Sequence, residues 1–245
     1  MNKINVSPTF IKTKNVRNFE VMMEGLALGQ GEGRFGVVYG EAGLGKSRTT
    51  TWYMANRGGV YLYMLKIWKH NYTEFLQALC RELLIKPIPK RKGPAFTAAV
   101  DSLIKNPRPV FVDEVEKLSP SFVDIIRDLA ELSACPFIFV GEEELLSYMK
   151  QSRRAWSRTH QQLEFESIGI SDVIYYARDC TSQGTFGGIE LPAECANLIQ
   201  DESSGNFRVV KRTIQNLVQI MNAKQSLTIM PEMVKIALKT ALRGN

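Results

Sequence analysis

The sequence predicts an α/β fold in which helices flank a central parallel sheet, followed by a small C-terminal helical lid. Three observations predict it. Short apolar runs rich in β-branched and aromatic residues alternate with helical patterns as far as about residue 165. A glycine-rich segment lies directly between the first such run and the next helix. From Ser171 onward only helical patterns are strong, and strands alternating with helices, then helices alone, are typical of an α/β domain with a helical appendage.

Three regions follow from this change of pattern. Residues 1–30 are expected to form a basic N-terminal arm with a short helix, residues 31–168 the α/β core, and residues 169–245 the lid. No apolar run approaches the roughly 18 to 20 residues that span a bilayer, and residues 1–10 lack the apolar stretch of a signal peptide. We therefore expect a cytoplasmic protein with no membrane partner.

Apolar periodicity predicts the elements of the core in chain order. A helix over 16–27 precedes a strand over 35–39, and the glycine-rich segment then leads into a helix over 46–56. The later elements are a strand over 59–65, a helix over 72–84, a helix over 95–104, a strand over 110–112, a helix ending near 132, a strand over 137–140, a helix over 142–150 and a strand over 163–165.

Local signals place some of the helix ends. Residues 86–94 hold three prolines, which cannot continue the helix before them. Ser119 and Pro120 are expected to start the helix that ends near residue 132, with the serine as its cap and the proline at its first position. Four lid helices are expected, near 172–181, 192–202, 206–222 and 231–242.

The cysteines and histidines argue against a structural zinc site. The four cysteines stand far apart with no C-x-x-C spacing, and neither of the two histidines has a cysteine or second histidine nearby. We expect the cysteines to act as small apolar residues in or near the core.

The glycine-rich segment has the pattern G-x-x-x-x-G-K-[ST] throughout, and its residues are Gly40, Glu41, Ala42, Gly43, Leu44, Gly45, Lys46 and Ser47, followed by Arg48. Glycines let the backbone curl so that several N–H groups point at a phosphate near the positive end of the next helix. Lys46 is expected to reach the β- and γ-phosphates of ATP, and Ser47 to ligate Mg²⁺. The strand before and the helix after also fit, so we expect residues 40–48 to bind ATP.

The second half of this site is an apolar run, residues 110–112, that ends in Asp113 and Glu114. An aspartate at the end of a buried strand can hold Mg²⁺ through its water shell, and an adjacent glutamate can polarise the attacking water as general base. The pair argues against nucleotide kinases, which transfer phosphate to a small acceptor. The residues therefore predict an enzyme that hydrolyses ATP to ADP and phosphate, with Lys46, Asp113 and Glu114 in the chemistry.

These motifs, with Gly141 after the fourth strand and residues 205–208 in the lid, resemble the AAA+ P-loop NTPases. More narrowly, the order and rough spacing of residues 40–47, 112–118 and 139–145 are similar to the DNA-transposition ATPases, the group of MuB, TnsC and IstB. The resemblance covers roughly residues 15–220. It implies the AAA+ fold, with its parallel sheet and helical lid.

The resemblance assigns roles to two further positions. Arg208 falls at the sensor 2 position, where a lid arginine touches the γ-phosphate; the alternative is a solvated arginine at a helix start. Glu142 falls at the sensor 1 position, where the wider family usually has a polar, uncharged residue. An anion there is repulsive toward the γ-phosphate unless it turns toward a neighbour or Mg²⁺, so the role of Glu142 stays open.

AAA+ oligomers complete each site with an arginine from the neighbouring subunit, so the resemblance also implies a homo-oligomer, either a ring or a helical filament. Arg158 lies just before the fifth predicted strand, where the family places such residues. Arg153 and Arg154 are competitors, and all three fit a solvated basic face equally well.

The resemblance further implies non-specific contact with double-stranded DNA. The net charge of +6 permits phosphate binding without proving it. In relatives, backbone contacts come from the segment after the second strand and the helices that follow. Here the candidates are Lys66, Lys69, Lys90, Arg91 and Lys92, although the last three also fit a solubilising loop. Trp68 and Tyr72 are better explained by core packing than by base stacking.

The leading hypothesis is an ATPase of a phage or mobile element, active in a bacterial host cell. It would assemble on DNA, select the transposition target and recruit a transposase, with hydrolysis driving disassembly. A DnaC-like helicase loader shares the core and also handles DNA. An AAA+ switch that remodels a protein partner without DNA is the third possibility.

Overall fold

A computed structural model describes residues 3–29, 35–182 and 187–243. The predicted boundary between residues 30 and 31 lies outside these ranges. The chain folds into two compact units. The α/β unit holds residues 16–42 and 46–165, and the helical unit holds residues up to 15, the short segment 43–45, and residues from 166 onward. Residues 3–15 thus belong with the helical unit, a division that differs from the predicted region 1–30.

The α/β unit contains a five-stranded parallel sheet with the order β2-β3-β4-β1-β5. Its strands are β1 Phe35–Tyr39, β2 Val60–Tyr63, β3 Val110–Asp113, β4 Phe137–Val140 and β5 Thr159–Glu164. The central strands β3 and β4 are fully buried, which explains their unbroken apolar sequences. The predicted parallel sheet is confirmed.

One set of helices belongs to the α/β unit with the sheet, and a second set forms the helical unit. Those of the α/β unit are α1 Lys14–Leu28 from its third residue onward, α2 Lys46–Arg57, α3 Tyr72–Glu82, α4 Lys92–Lys105, α5 Ser121–Ser133, α6 Glu144–Lys150 and α7 Arg153–Trp156. Those of the helical unit are α8 Ile170–Thr181, α9 Ala193–Ser203, α10 Phe207–Lys224 and α11 Pro231–Leu242. Two single 3-10 turns, Lys66–Trp68 and Val115–Lys117, follow β2 and β3.

Several predicted boundaries were wrong. Strand β5 begins four residues early, at Thr159, because its polar edge-strand residues give no apolar signal. Helix α4 begins at Lys92, since Pro94 lies in its first turn, where the missing N–H would have no partner within the helix. Lys92 is therefore helical and not part of the preceding loop.

The predicted start of α5 was also wrong. The helix begins at Ser121, and Pro120 is its N-cap residue, with φ −54°, ψ −26° and no side-chain cap. The Ser119 hydroxyl contacts the Ser121 hydroxyl at 2.9 Å, and its carbonyl accepts from the N–H of Phe122 at 3.0 Å. Ser119 therefore belongs to a turn that precedes the helix.

Each unit has its own apolar core. The core of the helical unit includes Ile4 and Ile11, so residues 3–13 are packed against its helices. Asn222 holds the backbone of Ile4 from both sides, because it accepts from the Ile4 N–H at 2.9 Å and donates to the Ile4 carbonyl at 2.7 Å. Two further bonds, from the Ser7 N–H to the Cys180 carbonyl and from Thr9 to Asp179, fasten the segment to α8.

All four cysteines are free and buried. Burial raises the pKa of Cys180 to about 11, so this thiol stays protonated at neutral pH. Over the described ranges, no group of three or more His, Cys, Asp or Glu side chains is arranged to hold a metal ion. Nor is any helix in those ranges long and apolar enough to cross a membrane.

Candidate nucleotide site

The glycine-rich loop joins the carboxyl end of β1 to the first turn of α2. Gly40 has φ +136°, and a Cβ atom there would lie 2.6 Å from the Phe165 carbonyl oxygen. Gly45 has φ +97°, a conformation that other residues rarely adopt. Because the loop ends at the N-terminus of a twelve-residue helix, an anion bound there would meet the backbone N–H groups of the first helical turn.

Lys46 is folded beneath this loop. It is 8% exposed, and its Nζ donates to the carbonyls of Gly40 at 2.7 Å and Glu41 at 2.8 Å. The ammonium group is thus held beside the loop with which it is expected to bind phosphate. Of the other predicted residues, Leu44 is buried, and the exposed ones are Glu41, Ala42, Ser47 and Arg48. Ser47 and Arg48 belong to the first turn of α2.

Asp113 ends β3 and is 2% exposed. Its Oδ2 accepts a hydrogen bond of 2.5 Å from the hydroxyl of Tyr61 on β2. The Ser47 side chain lies near the same hydroxyl and lowers the pKa of Tyr61 against the larger effects that raise it. Ser47 and Asp113, which were predicted from separate motifs, therefore both lie near the Tyr61 hydroxyl.

Glu114 follows in a left-handed conformation, with φ 59° and ψ 39°. Its carboxylate forms an ion pair with Lys117, three residues along the same turn. Lys117 in turn donates to the Tyr63 hydroxyl at 2.9 Å and lies 4.7 Å from the centre of that ring. The predicted general base is thus held by a lysine that sequence reasoning did not single out.

A third carboxylate lies close by at Glu116. Its Oε1 accepts from the Glu142 N–H at 3.1 Å, and a Cβ atom at Gly141 would lie 2.5 Å from the same oxygen. Burial raises the pKa of Glu116, and the charges of Asp113 and Glu142 raise it further, against the hydrogen bonds that lower it. Glu116 therefore contacts the backbone at the predicted sensor 1 position, whereas the Glu142 side chain is exposed.

The residues present fit Mg²⁺. This ion binds oxygen, usually through one or two protein ligands, and keeps waters and substrate phosphates as the rest of its shell. The Ser47 hydroxyl and the Asp113 carboxylate, both near the Tyr61 hydroxyl, form a donor set of this kind. A cluster of three protein carboxylates or imidazoles is not needed for it.

Arg208 lies in the first turn of α10 within the helical unit, which also includes Gly43–Gly45. Its backbone N–H donates to the Gly43 carbonyl at 3.1 Å and to the Asn206 side chain at 3.1 Å. The role of its exposed guanidinium stays a prediction.

Arg158 pairs with Glu131 of its own chain, since its Nε lies 3.0 Å from Oε1. Both residues line an open surface pocket of about 380 Å³, together with Arg127, Arg154 and Ser157. Arg153 is the first residue of α7. The choice among the three arginines for a role in a neighbouring site therefore stays open.

The predicted DNA-contacting residues are all exposed. Lys66 begins the 3-10 turn after β2, and Lys69 directly follows that turn. Lys90 and Arg91 lie in the loop after α3, and Lys92 is the first residue of α4. Trp68 and Tyr72 pack against the apolar core, and the Tyr72 ring lies 4.6 Å from that of Phe122. Core packing thus accounts for both aromatic residues.

Comparison with known proteins agrees with this architecture. The AAA domain family model matches residues 30–149. Cdc6p from Pyrobaculum aerophilum superposes with a TM-score of 0.69 at 14% identity, over 96% of this chain and 70% of that one. The ORC2 protein of Aeropyrum pernix, in ADPNP-ADP complexes, gives a TM-score of 0.68 at 17% identity, over 97% of this chain and 70% of that one. The chain is therefore an AAA+ P-loop ATPase.

A sequence relative refines this class. The Mu-like prophage FluMu DNA transposition protein B of Haemophilus influenzae is 22% identical over 216 residues, which cover 84% of this chain and 72% of that protein. The match confirms the resemblance to AAA+ ATPases of the DNA-transposition type.

Proposed function

We propose that this ATPase forms a homo-oligomer on double-stranded DNA, selects the target for transposition and recruits a transposase. Hydrolysis of ATP would then take the oligomer apart. The observation that carries the proposal is the similarity to a DNA transposition protein over 84% of the chain. The exposed basic residues after β2 and before α4 support it, since they suit contact with phosphates and carry no base specificity.

In the proposed chemistry, the loop N–H groups and Lys46 bind the β- and γ-phosphates. The Lys46 ammonium group leaves the carbonyls of Gly40 and Glu41 when phosphate oxygens replace them as acceptors. Ser47 and Asp113 would hold Mg²⁺, which offsets the charge of the phosphates when bound. Glu114 accepts a proton from the attacking water.

Two arginines complete the proposed site. Arg208 contacts the γ-phosphate from the lid, and Arg158 acts on the nucleotide of the neighbouring subunit. Because Arg158 is paired with Glu131 in the single chain, its action in an oligomer requires that exposed pair to open. Exposed pairs are worth only about 0–1 kcal/mol, so this cost is small.

The test measures ATP turnover and particle assembly of the full chain, with and without long double-stranded DNA. We expect DNA-bound oligomers with ATP but not with ADP, and faster turnover when DNA is present. Lys46→Ala, which lacks the phosphate-binding ammonium, is the control that should not assemble. Turnover without any response to DNA would contradict the proposal and favour a protein-remodelling switch. Copurification with a replicative helicase, and not a transposase, would favour a helicase loader.

A further inference from the structure

Tyr61 belongs neither to the glycine-rich loop nor to the Asp113–Glu114 pair, yet it contacts Asp113. It is the second residue of β2, one of the two edge strands of the sheet. Its hydroxyl donates to Oδ2 of Asp113 at 2.5 Å, and the Ser47 side chain lies near the same hydroxyl. One phenol therefore lies between the two residues proposed to hold Mg²⁺.

The strand register explains why this contact forms. Tyr61 lies opposite Phe111 in the parallel pairing of β2 with β3, and Asp113 is two residues beyond Phe111. Because side chains alternate along a strand, Phe111 and Asp113 point to the same face as Tyr61. A long side chain such as tyrosine can therefore reach diagonally to the end of the neighbouring strand.

The contact also satisfies a group that needs a partner. Asp113 is 2% exposed, and a buried carboxylate without hydrogen bonds is costly. A tyrosine hydroxyl is protonated at neutral pH, so Tyr61 can donate to this carboxylate.

We propose that Tyr61 is a positioning residue for the Mg²⁺ site, holding Asp113 and Ser47 in the orientation that binds the ion. The inference rests on the proposed metal roles of these two residues. Because the phenol takes Oδ2, the other carboxylate oxygen, Oδ1, is left to accept from the water shell of the ion. Hydrogen-bonding partners of metal ligands typically change metal affinity by about 10- to 100-fold when they are removed.

The decisive variant is Tyr61→Phe, which keeps the ring and removes only the hydroxyl. Binding of a fluorescent ATP analogue to the full chain would be measured first in EDTA and then during a titration with Mg²⁺. Binding of Mn²⁺ in the presence of a non-hydrolysable ATP analogue, followed by electron paramagnetic resonance, gives a readout independent of turnover. We expect unchanged nucleotide affinity in EDTA and a rise of about 10- to 100-fold in the ion concentration needed for half-saturation.

Tyr53→Phe is the matched control. Tyr53 lies on α2, and its ring contacts those of Phe19 and of Phe111 on β3. The substitution therefore removes a phenol hydroxyl beside β3 but away from Asp113. We expect this variant to bind both nucleotide and ion as the unchanged protein does.

Three results would overturn the inference. An ion dependence like that of the control would show that the hydroxyl does not position the ligands, and tighter ion binding would show that it competes with the metal. Weaker nucleotide binding in EDTA would show a general structural role. If the unchanged protein binds nucleotide without any effect of Mg²⁺, the metal assignment of Ser47 and Asp113 itself fails, which is a distinguishable outcome.

Discussion

Glu114 is the single residue on which the proposed hydrolysis depends most. Its left-handed backbone and its ion pair with Lys117 fix the carboxylate at the end of β3. Glu114→Gln keeps the size of the side chain and removes the base, while the glycine-rich loop and Lys46 remain. We expect ATP affinity to be unchanged and kcat to fall by about 10²- to 10⁴-fold, the usual contribution of a general base. Nucleotide binding and steady-state hydrolysis, measured separately, check this.

Glu143→Gln is the control for this variant. Glu143 is an exposed glutamate just after the sensor 1 position and has no proposed role, so its loss should leave kcat unchanged. Equal rates for the two variants would show that Glu114 is not the base.

Glu116 makes stability depend on pH. Its Oε2 is buried and has no hydrogen-bond partner among the described residues. Burial first, and then neighbouring charge, raise its pKa above the ordinary 4.5. A carboxyl whose pKa rises on folding holds its proton more tightly in the folded state, so its ionisation costs stability. That cost is absent below 4.5, grows as pH rises toward the folded pKa, and is complete above it.

Glu116→Gln cannot ionise and retains an acceptor for the Glu142 N–H. The stability of the variant relative to the unchanged protein should therefore be more favourable near about pH 8 than near about pH 5. Urea unfolding at both pH values measures the difference. Glu143→Gln again serves as the control, and a difference for Glu116→Gln that does not change with pH would refute the account.

At the scale of elements, periodicity was a reliable guide wherever burial is uniform. Strand β4 was predicted residue for residue because both of its faces are buried and its sequence is an unbroken apolar run. Strand β5 lies at an edge and carries polar residues, so only its apolar end was detected. The start of α4 was missed because Pro94 was read as a helix breaker, although the first turn of a helix tolerates proline.

The candidate site divides in a similar way. The loop and the Asp-Glu pair are local motifs whose spacing is visible in one sequence. The contacts of Tyr61 with Asp113 and of Glu116 with Glu142 join residues that are 52 and 26 positions apart. Strand order and register create these contacts, and a single sequence does not contain them.

The N-terminal segment gives a prediction about a whole element. Asn222 holds both backbone groups of Ile4, so Asn222→Ala removes two hydrogen bonds and leaves a half-buried N–H and C=O without their partner. The loss should destabilise the folded chain by about 1–3 kcal/mol. It should also expose the segment over residues 3–13 to proteolysis. Urea unfolding and limited digestion measure the two effects.

Asn197→Ala on α9 is the matched control, since that asparagine is exposed and the substitution is the same. If both variants unfold at the same urea concentration and are cut at the same rate, the bonds to Ile4 do not fasten the segment.

At the scale of the whole molecule, a net charge of +6 gives any DNA binding a general electrostatic component as well as a local one. Salt dependence distinguishes them, because the logarithm of the binding constant falls with the logarithm of salt by about 0.9 for each phosphate neutralised. If Lys90, Arg91 and Lys92 each contact a phosphate, their joint replacement by alanine should reduce this slope by up to about 2.7. Binding to long double-stranded DNA at several salt concentrations, with ATP present, measures the slope.

The control replaces three other exposed basic residues, Lys224, Lys239 and Arg243, which lie in the helical unit and have no proposed DNA contact. Both triple variants lower the net charge by the same three units, so a purely general effect would weaken binding equally and alter both slopes alike. A smaller slope for the first variant alone would locate the phosphate contacts in the segment between α3 and α4. Equal slopes for all three proteins would remove that segment from the DNA interface and leave Lys66 and Lys69, after β2, as the remaining candidates.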